Sequence, residues 1–207
     1  MASRLTPLSV ALNEDGKEAR PTPLTAFREA RRWWLKGKRL NLSALAEELG
    51  VGRATLMRWV GNKELLLGEI IWSLYKQLFD EAVARADQDP NLKGVDYLAS
   101  IYYELNVEIM QAEPLRRFLQ EDPRFGLQVL TSNVNPLQQR LVDTWRDLLD
   151  QQVAAGHIKP QMKTDDLAYF IIRIGEGTVY SDFICDRHPD PAAANTAFRL
   201  LLTGKAS

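Results

Sequence analysis

The sequence predicts an all-α protein of about ten helices, with a small three-helix head near the N-terminus and a larger helical body behind it. Three observations carry this reading. Apolar residues fall on helical faces, at three- and four-residue spacing. Gly, Pro, Asn and Asp punctuate the chain at intervals of helical length. No stretch alternates apolar and polar residues between hairpin-forming pairs, as half-buried strands do.

Residues 1–21 hold Pro7, Gly16, Pro21 and the polar run NEDGKEAR, and read as a loose arm. Thr22-Pro23 supplies an N-cap followed by proline at the first helical position, so a helix runs to about Lys36 and closes at Gly37. Ser43 caps a second helix that ends at Gly50. A third spans about Arg53 to Val60 and stops at Gly61, and Asn62 caps a long helix to about Ala86. Further helices are expected over about 93–111, 114–120 and 123–131, the last two with prolines in their first turns. Asn135-Pro136 opens a helix that ends at Gly156. Thr164, with Asp165 and Asp166 behind it, opens another to about Asp186, and Pro189 and Pro191 introduce a final one to about Leu202.

The 207 residues suffice for one large domain or two small ones. A hydrophobic content of 45% and a charged content of 26% are those of an ordinary globular protein. No run approaches the roughly 18 apolar residues of a membrane span. The apolar patch at the N-terminus soon meets Asn13, Glu14 and Asp15, too weak for a secretory signal, so a cytoplasmic location is expected. A single cysteine, Cys185, agrees with a reducing compartment. The net charge of −1 conceals an asymmetry. Residues 20–63 carry ten Lys/Arg against three Asp/Glu, which leaves sixteen basic and twenty-four acidic residues elsewhere. A basic module on an acidic body calls for an anionic partner at one end, nucleic acid or an anionic membrane.

Within the head, Phe27, Ala30 and Trp34 share one face of the first helix. Leu45, Ala46 and Leu49 do so on the second, and Leu56, Trp59 and Val60 on the third. Val51 plugs the turn between the last two. The junction ELGVGRATL fits a helix-turn-helix, whose second helix enters the major groove of DNA. Arg53, Ala54, Thr55, Met57 and Arg58 lie off the buried stripe of that helix. Arginine grips guanine O6 and N7 with two hydrogen bonds, threonine reaches bases or phosphates, and Ala54 and the Thr55 methyl suit a thymine methyl. Lys63, beside free N–H groups at a helix start, suits a phosphate. The plainer reading, a solvated basic face, stays open for Arg53 and Arg58, as it does for Arg31 and Arg32. Trp33 reads as core edge, and Arg4 or Arg20 as part of a linker.

The stretch LNLSALAEELGVGRATLMRWVGNKELLLGEI resembles the DNA-binding head of TetR-family transcriptional regulators. Leu45, Ala46, Gly50, Val51, Thr55, Leu56, Asn62, Lys63, Leu65 and Leu66 match that pattern as they stand. Gly52 replaces the usual serine cap, and Met57 stands where the family commonly has a phosphate-bonding tyrosine. The wording RATLMRWVGNKELLLGEIIW and the lead-in PTPLTAFREARRWWLKGKRL are similar to the QsdR-like regulators of quorum-sensing lactonase genes. The resemblance implies an arm at 1–21, a helix-turn-helix domain at 22–66 and an effector-binding and dimerisation domain at 67–207. It implies a double-stranded DNA operator, a small-molecule effector such as a lactone or acyl compound, a homodimer, no cofactor and no enzymatic activity.

For such an effector, Tyr102, Tyr103, Phe118, Phe125, Trp145, Phe170 and Tyr180 offer aromatic surface, and Asn106, Glu104, Arg173 and Glu176 offer polar handles. Each aromatic fits an ordinary core position equally, and Arg173 with Glu176 fits a local ion pair. The family pairs its last two long helices across a two-fold axis, here about 165–186 and 191–202. Gly175, Gly177, Tyr180 and Phe198 are thus dimer-interface candidates, the glycines suiting a close helix crossing. The competing reading is an all-α enzyme acting on a small apolar substrate. Its histidines, His157 and His188, stand in no paired metal motif; Cys185 with His188 is half a ligand set.

Overall fold

The computed structural model describes residues 21–185 and 187–204. The arm expected at 1–21, with Arg4 and Arg20, lies outside the described residues apart from Pro21. Every described element is a helix, eleven in all among the described residues, and the chain divides into compact units at Leu66/Leu67.

The first unit holds α1 (Pro23–Leu35), α2 (Leu42–Glu48) and α3 (Arg53–Val60), and within it begins α4 (Lys63–Asp87). Thr22 caps α1 as expected, its Oγ1 accepting from the Thr25 N–H at 3.1 Å. The buried stripe of α1 is Ala26, Ala30, Trp33 and Trp34. Phe27 stays half-buried, and Trp33 is core, with the Lys38 ammonium 3.3 Å from its ring centroid. The cap of α2 is Asn41 and not Ser43: Asn41 Oδ1 accepts from the N–H groups of Ser43 and Ala44 at 2.9 and 3.1 Å. Two capping types stand two positions apart in NLS, and the one that reaches two free donors wins. Leu45, Ala46 and Leu56 close the small core. The turn between α2 and α3 is locked by the Val51 N–H on the Ala46 carbonyl at 2.9 Å. Asn62 Oδ1 accepts from the Leu65 N–H at 2.8 Å and caps α4.

The second unit holds the rest of α4 and α5 (Gly94–Gln111), α6 (Glu113–Glu121), α7 (Pro123–Thr131), α8 (Leu137–Ala154), α9 (Thr164–Val179), α10 (Ser181–Cys185) and α11 (Pro191–Thr203). Its centre is aromatic. Tyr102 of α5 stacks on Phe198 of α11 with ring centroids 4.4 Å apart, and Trp145 of α8 meets both edge-on at 5.7 Å. Phe79 of α4 meets the same indole at 5.6 Å. The Trp145 Nε1–H donates to Tyr75 Oη at 2.9 Å, so the buried indole leaves no donor unpaired. The helix expected to run from Thr164 to about Asp186 breaks at Tyr180. Ser181, buried there, lies with its Oγ 2.8 Å from the carbonyls of both Thr178 and Arg187. A serine hydroxyl turned onto nearby backbone competes with helix propagation.

Gly94 opens α5 with φ of +54°, and a Cβ there would lie 2.5 Å from the His157 carbonyl oxygen. Both its backbone and its neighbour forbid a side chain. Gly94→Ala should therefore lower stability by about 1–3 kcal/mol, against about 1–2 kcal/mol for Gly156→Ala, whose Cβ would meet nothing within 4 Å. Urea unfolding of the two variants measures the difference, and equal losses would show the His157 contact to be irrelevant.

Candidate nucleic-acid interface and effector site

Leu56 anchors α3 with no exposed surface, and Trp59 and Val60 are half-buried beside it. The opposite side presents Arg53, Ala54, Met57 and Arg58 to solvent, with Thr55 half-buried at the margin. Arg58 Nη2 lies 3.4 Å from Thr55 Oγ1, so Thr55 also orients an arginine. Elsewhere in the head, Arg32 donates through Nε to Glu29 at 2.9 Å and approaches Glu48 at 3.3 Å, and Lys38 lies 3.5 Å from Glu48. The hydrogen bond from Arg32 holds the Glu29 carboxyl below the usual range. Glu29 and Glu48 are thus satisfied on α1 and α2, away from the outward side of α3. Lys63 is the first residue of α4 and half-buried; of the N–H groups around it, the Leu65 one is already taken by Asn62.

In the body, the expected pocket residues separate. Tyr102 and Trp145 belong to the aromatic centre. Tyr103 and Phe170 are exposed, 41% and 45%, and line no interior surface; Glu104 is committed to Arg85 at 2.7 Å. Phe118 is half-buried, edge-on to Phe125 at 6.0 Å. Asn106 is buried and donates to the Tyr102 carbonyl at 2.8 Å. Arg173 and Glu176 form the ion pair their spacing suggests, at 2.9 Å. A residue absent from the sequence reading joins them. Gln138 Nε2 donates to Glu176 Oε1 at 2.6 Å and to the Leu130 carbonyl, while its Oε1 accepts from Arg173 Nη2. A signal for Gln138 existed: it precedes Leu141 and Trp145 by three and seven residues, the spacing of the buried face of α8. Burial, the largest influence, pushes the Glu176 carboxyl above its ordinary range, against the lowering effects of Gln138 and Arg173.

The dimer-interface candidates separate too. Phe198 and Tyr180 are buried within their own chain and offer no surface to a partner. A Cβ at Gly175 would lie 3.4 Å from Asn106 Oδ1 and Tyr102 Oη, so this glycine admits α5 of the same chain. Gly177 faces open space.

Residues 93–203 match the family described as "Tetracyclin repressor-like, C-terminal domain". The match spans more than half of the chain, and the chain belongs to that family. Among solved structures it is similar to the transcriptional repressor QsdR of R. erythropolis, from the TetR family. The TM-score is 0.79 and the identity 24%, over 87% of this chain and 93% of that one. It is also similar to the transcriptional regulator FadR of Bacillus subtilis in complex with stearoyl-CoA. There the TM-score is 0.56 and the identity 16%, over 88% and 98% of the two chains. No curated protein sequence matches. Among the described residues no helix is long and apolar enough to cross a membrane, and no group of His, Cys, Asp and Glu could hold a metal ion.

Because burial raises the Glu176 carboxyl, the native state keeps that proton longer than the unfolded chain does. Its contribution is fully present below the unfolded value and is lost as pH rises through the folded one. The stability of the wild type relative to Glu176→Gln should therefore fall as pH climbs from the ordinary carboxylate range. Urea midpoints at a series of pH values measure this, and a difference that rises with pH would contradict it.

Proposed function

We propose that the protein is a homodimeric DNA-binding repressor of transcription, released from a palindromic operator by a small-molecule effector held in the body. The observation that carries the reading is the two-sidedness of α3: Leu56 is locked into the head's core, while Arg53, Ala54, Met57 and Arg58 face solvent. Arg53 reads a base edge, Thr55 shares its contact with Arg58, and Lys63 takes a phosphate. Met57 has no hydrogen to give, so it contributes only apolar contact where relatives donate to phosphate.

Dimerisation by α9 and α11 is supported by apolar surface left in solvent: Tyr169 and Phe170 on α9, 49% and 45% exposed, and Leu200 on α11, 40%. Gly177 on α9 would let a second copy approach closely. Isologous pairing sets two recognition helices on an inverted repeat. A lactone or related acyl effector, and with it a role in quorum sensing, is supported by the likeness to QsdR and by the stearoyl-CoA bound to FadR. The site of action is the cytoplasm.

A gel-shift titration against DNA flanking the protein's own gene tests the reading, and failure to form a specific complex at low salt would contradict it. Arg53→Ala should lose discrimination at one base pair by about 1–3 kcal/mol. Lys63→Ala should weaken all sequences alike and reduce the salt slope by about one. Identical behaviour of the two would contradict the assigned roles. Gly177→Leu should shift sedimenting dimer towards monomer, and an unchanged dimer would move the interface elsewhere.

A further inference from the structure

The start of α8 and the turn before it hold the half-buried Arg173–Glu176 ion pair with one residue and α4 with two others. Gln138 lies between Arg173 and Glu176 of α9. Three residues earlier, Asn135 donates to the Val129 carbonyl at 2.8 Å and accepts from the Leu137 N–H at 2.9 Å. Its side chain fills the place of a side chain on Gly68 of α4, where a Cβ would lie 2.6 Å from it. Two residues after Gln138, Arg140 grips Glu69 of α4 with two hydrogen bonds, at 2.7 and 2.9 Å, its guanidinium 5.7 Å from the centre of the Trp72 ring.

We propose that the Gln138 carboxamide is an internal stand-in for the effector. An uncharged carbonyl oxygen of the effector replaces Gln138 Oε1 on Arg173, and displacement of the start of α8 loosens the hold of Asn135 on Gly68 and of Arg140 on Glu69. The inference rests on the reading of the protein as an effector-released DNA-binding regulator, and it names both the chemistry of the effector and the route of its signal.

Charge decides the chemistry. Arg173 is already neutralised by Glu176, so the group that replaces an amide oxygen must accept a hydrogen bond without adding charge. A carboxylate or phosphate would stand beside the Glu176 carboxyl in a site that resists even that one charge. Arg173 Nε is buried without a hydrogen-bond partner among the described residues, and so offers the carbonyl a further donor. A narrow cleft that includes Val179, one turn beyond Glu176 on α9, is lined also by Ile109, Leu115, Arg116, Leu119 and Phe183. Val179 follows Glu176 by three residues on α9, and Ile109 follows Asn106 by three on α5, so apolar surface continues on those two faces. That cleft suits an alkyl chain and must widen to admit one, which couples binding to movement.

The route follows from connectivity. Gln138 lies between Asn135, in the turn just before α8, and Arg140, in the first turn of α8, so drawing it off Arg173 disturbs both contacts with α4. The gripped stretch, Gly68 to Trp72, lies on the helix that begins at Lys63.

The test uses the full-length chain, methyl esters of six- to twelve-carbon acids, and the sodium carboxylates of the same acids. Thermal shift without DNA should show stabilisation by at least one ester and by none of the matching carboxylates. Gln138→Ala, which removes the internal competitor, should bind that ester severalfold more tightly than the wild type. Glu69→Gln should bind it as the wild type does, yet need at least fivefold more to release DNA flanking the gene. Equal stabilisation by carboxylates, none by any ester, weaker ester binding by Gln138→Ala, or unimpaired release from Glu69→Gln would each overturn the proposal. A chain that takes the ester but never binds DNA would overturn the regulator reading while leaving the ligand assignment standing.

Discussion

The body depends on the indole of Trp145. Four helices meet at it: Phe79 of α4, Tyr102 of α5 and Phe198 of α11 place their rings 5.6–5.7 Å away, and Trp145 itself stands on α8. Burying aromatic side chains of this size supplies much of the apolar area a core can offer, and edge-to-face geometry adds about 0.5–1.5 kcal/mol per pair. The one polar atom of the indole is satisfied by Tyr75 Oη. Because burial disfavours the charged phenolate, the pKa of that phenol is driven up and it stays a neutral partner. The same rings fix α8 in register, which sets Gln138 against the Arg173–Glu176 pair and Arg140 against Glu69.

The head obeys a different constraint. Helices of seven, eight and thirteen residues are too short to persist alone in water. They share a core of Ala26, Ala30, Trp33, Trp34, Leu45, Ala46 and Leu56, and Thr22 and Asn41 cap the starts of α1 and α2. So small a core can spare only one face of α3. The other is left polar, basic and exposed, which is the condition for a surface that meets DNA.

Local signals were legible in the chain, and long-range ones were not. The limits of α3 and the cap of α4 follow from Gly61 and Asn62, whose effects reach only one turn. Where two local signals compete, reading them fails: Asn41 outcompetes Ser43 for the cap of α2, and the Ser181 hydroxyl ends α9 inside a stretch of good helical pattern. Tyr180 and Phe198 have the pattern of a helix seam, and only packing distinguishes a seam within the chain from one between copies. The Arg140–Glu69 grip joins residues 71 apart, and Gly68 reveals its reason only against the Asn135 side chain. Neither leaves a mark on local periodicity. Gln138 left a faint one, an amide at core spacing.

The central claim, that two copies of an outward-facing α3 read DNA together, is tested most directly by selection from a pool of random DNA sequences with the full-length protein. The account predicts enrichment of an inverted repeat, with half-site centres separated by about one helical turn or a multiple of it. Absence of any enriched sequence, or enrichment of a single half-site without its mirror image, would contradict it.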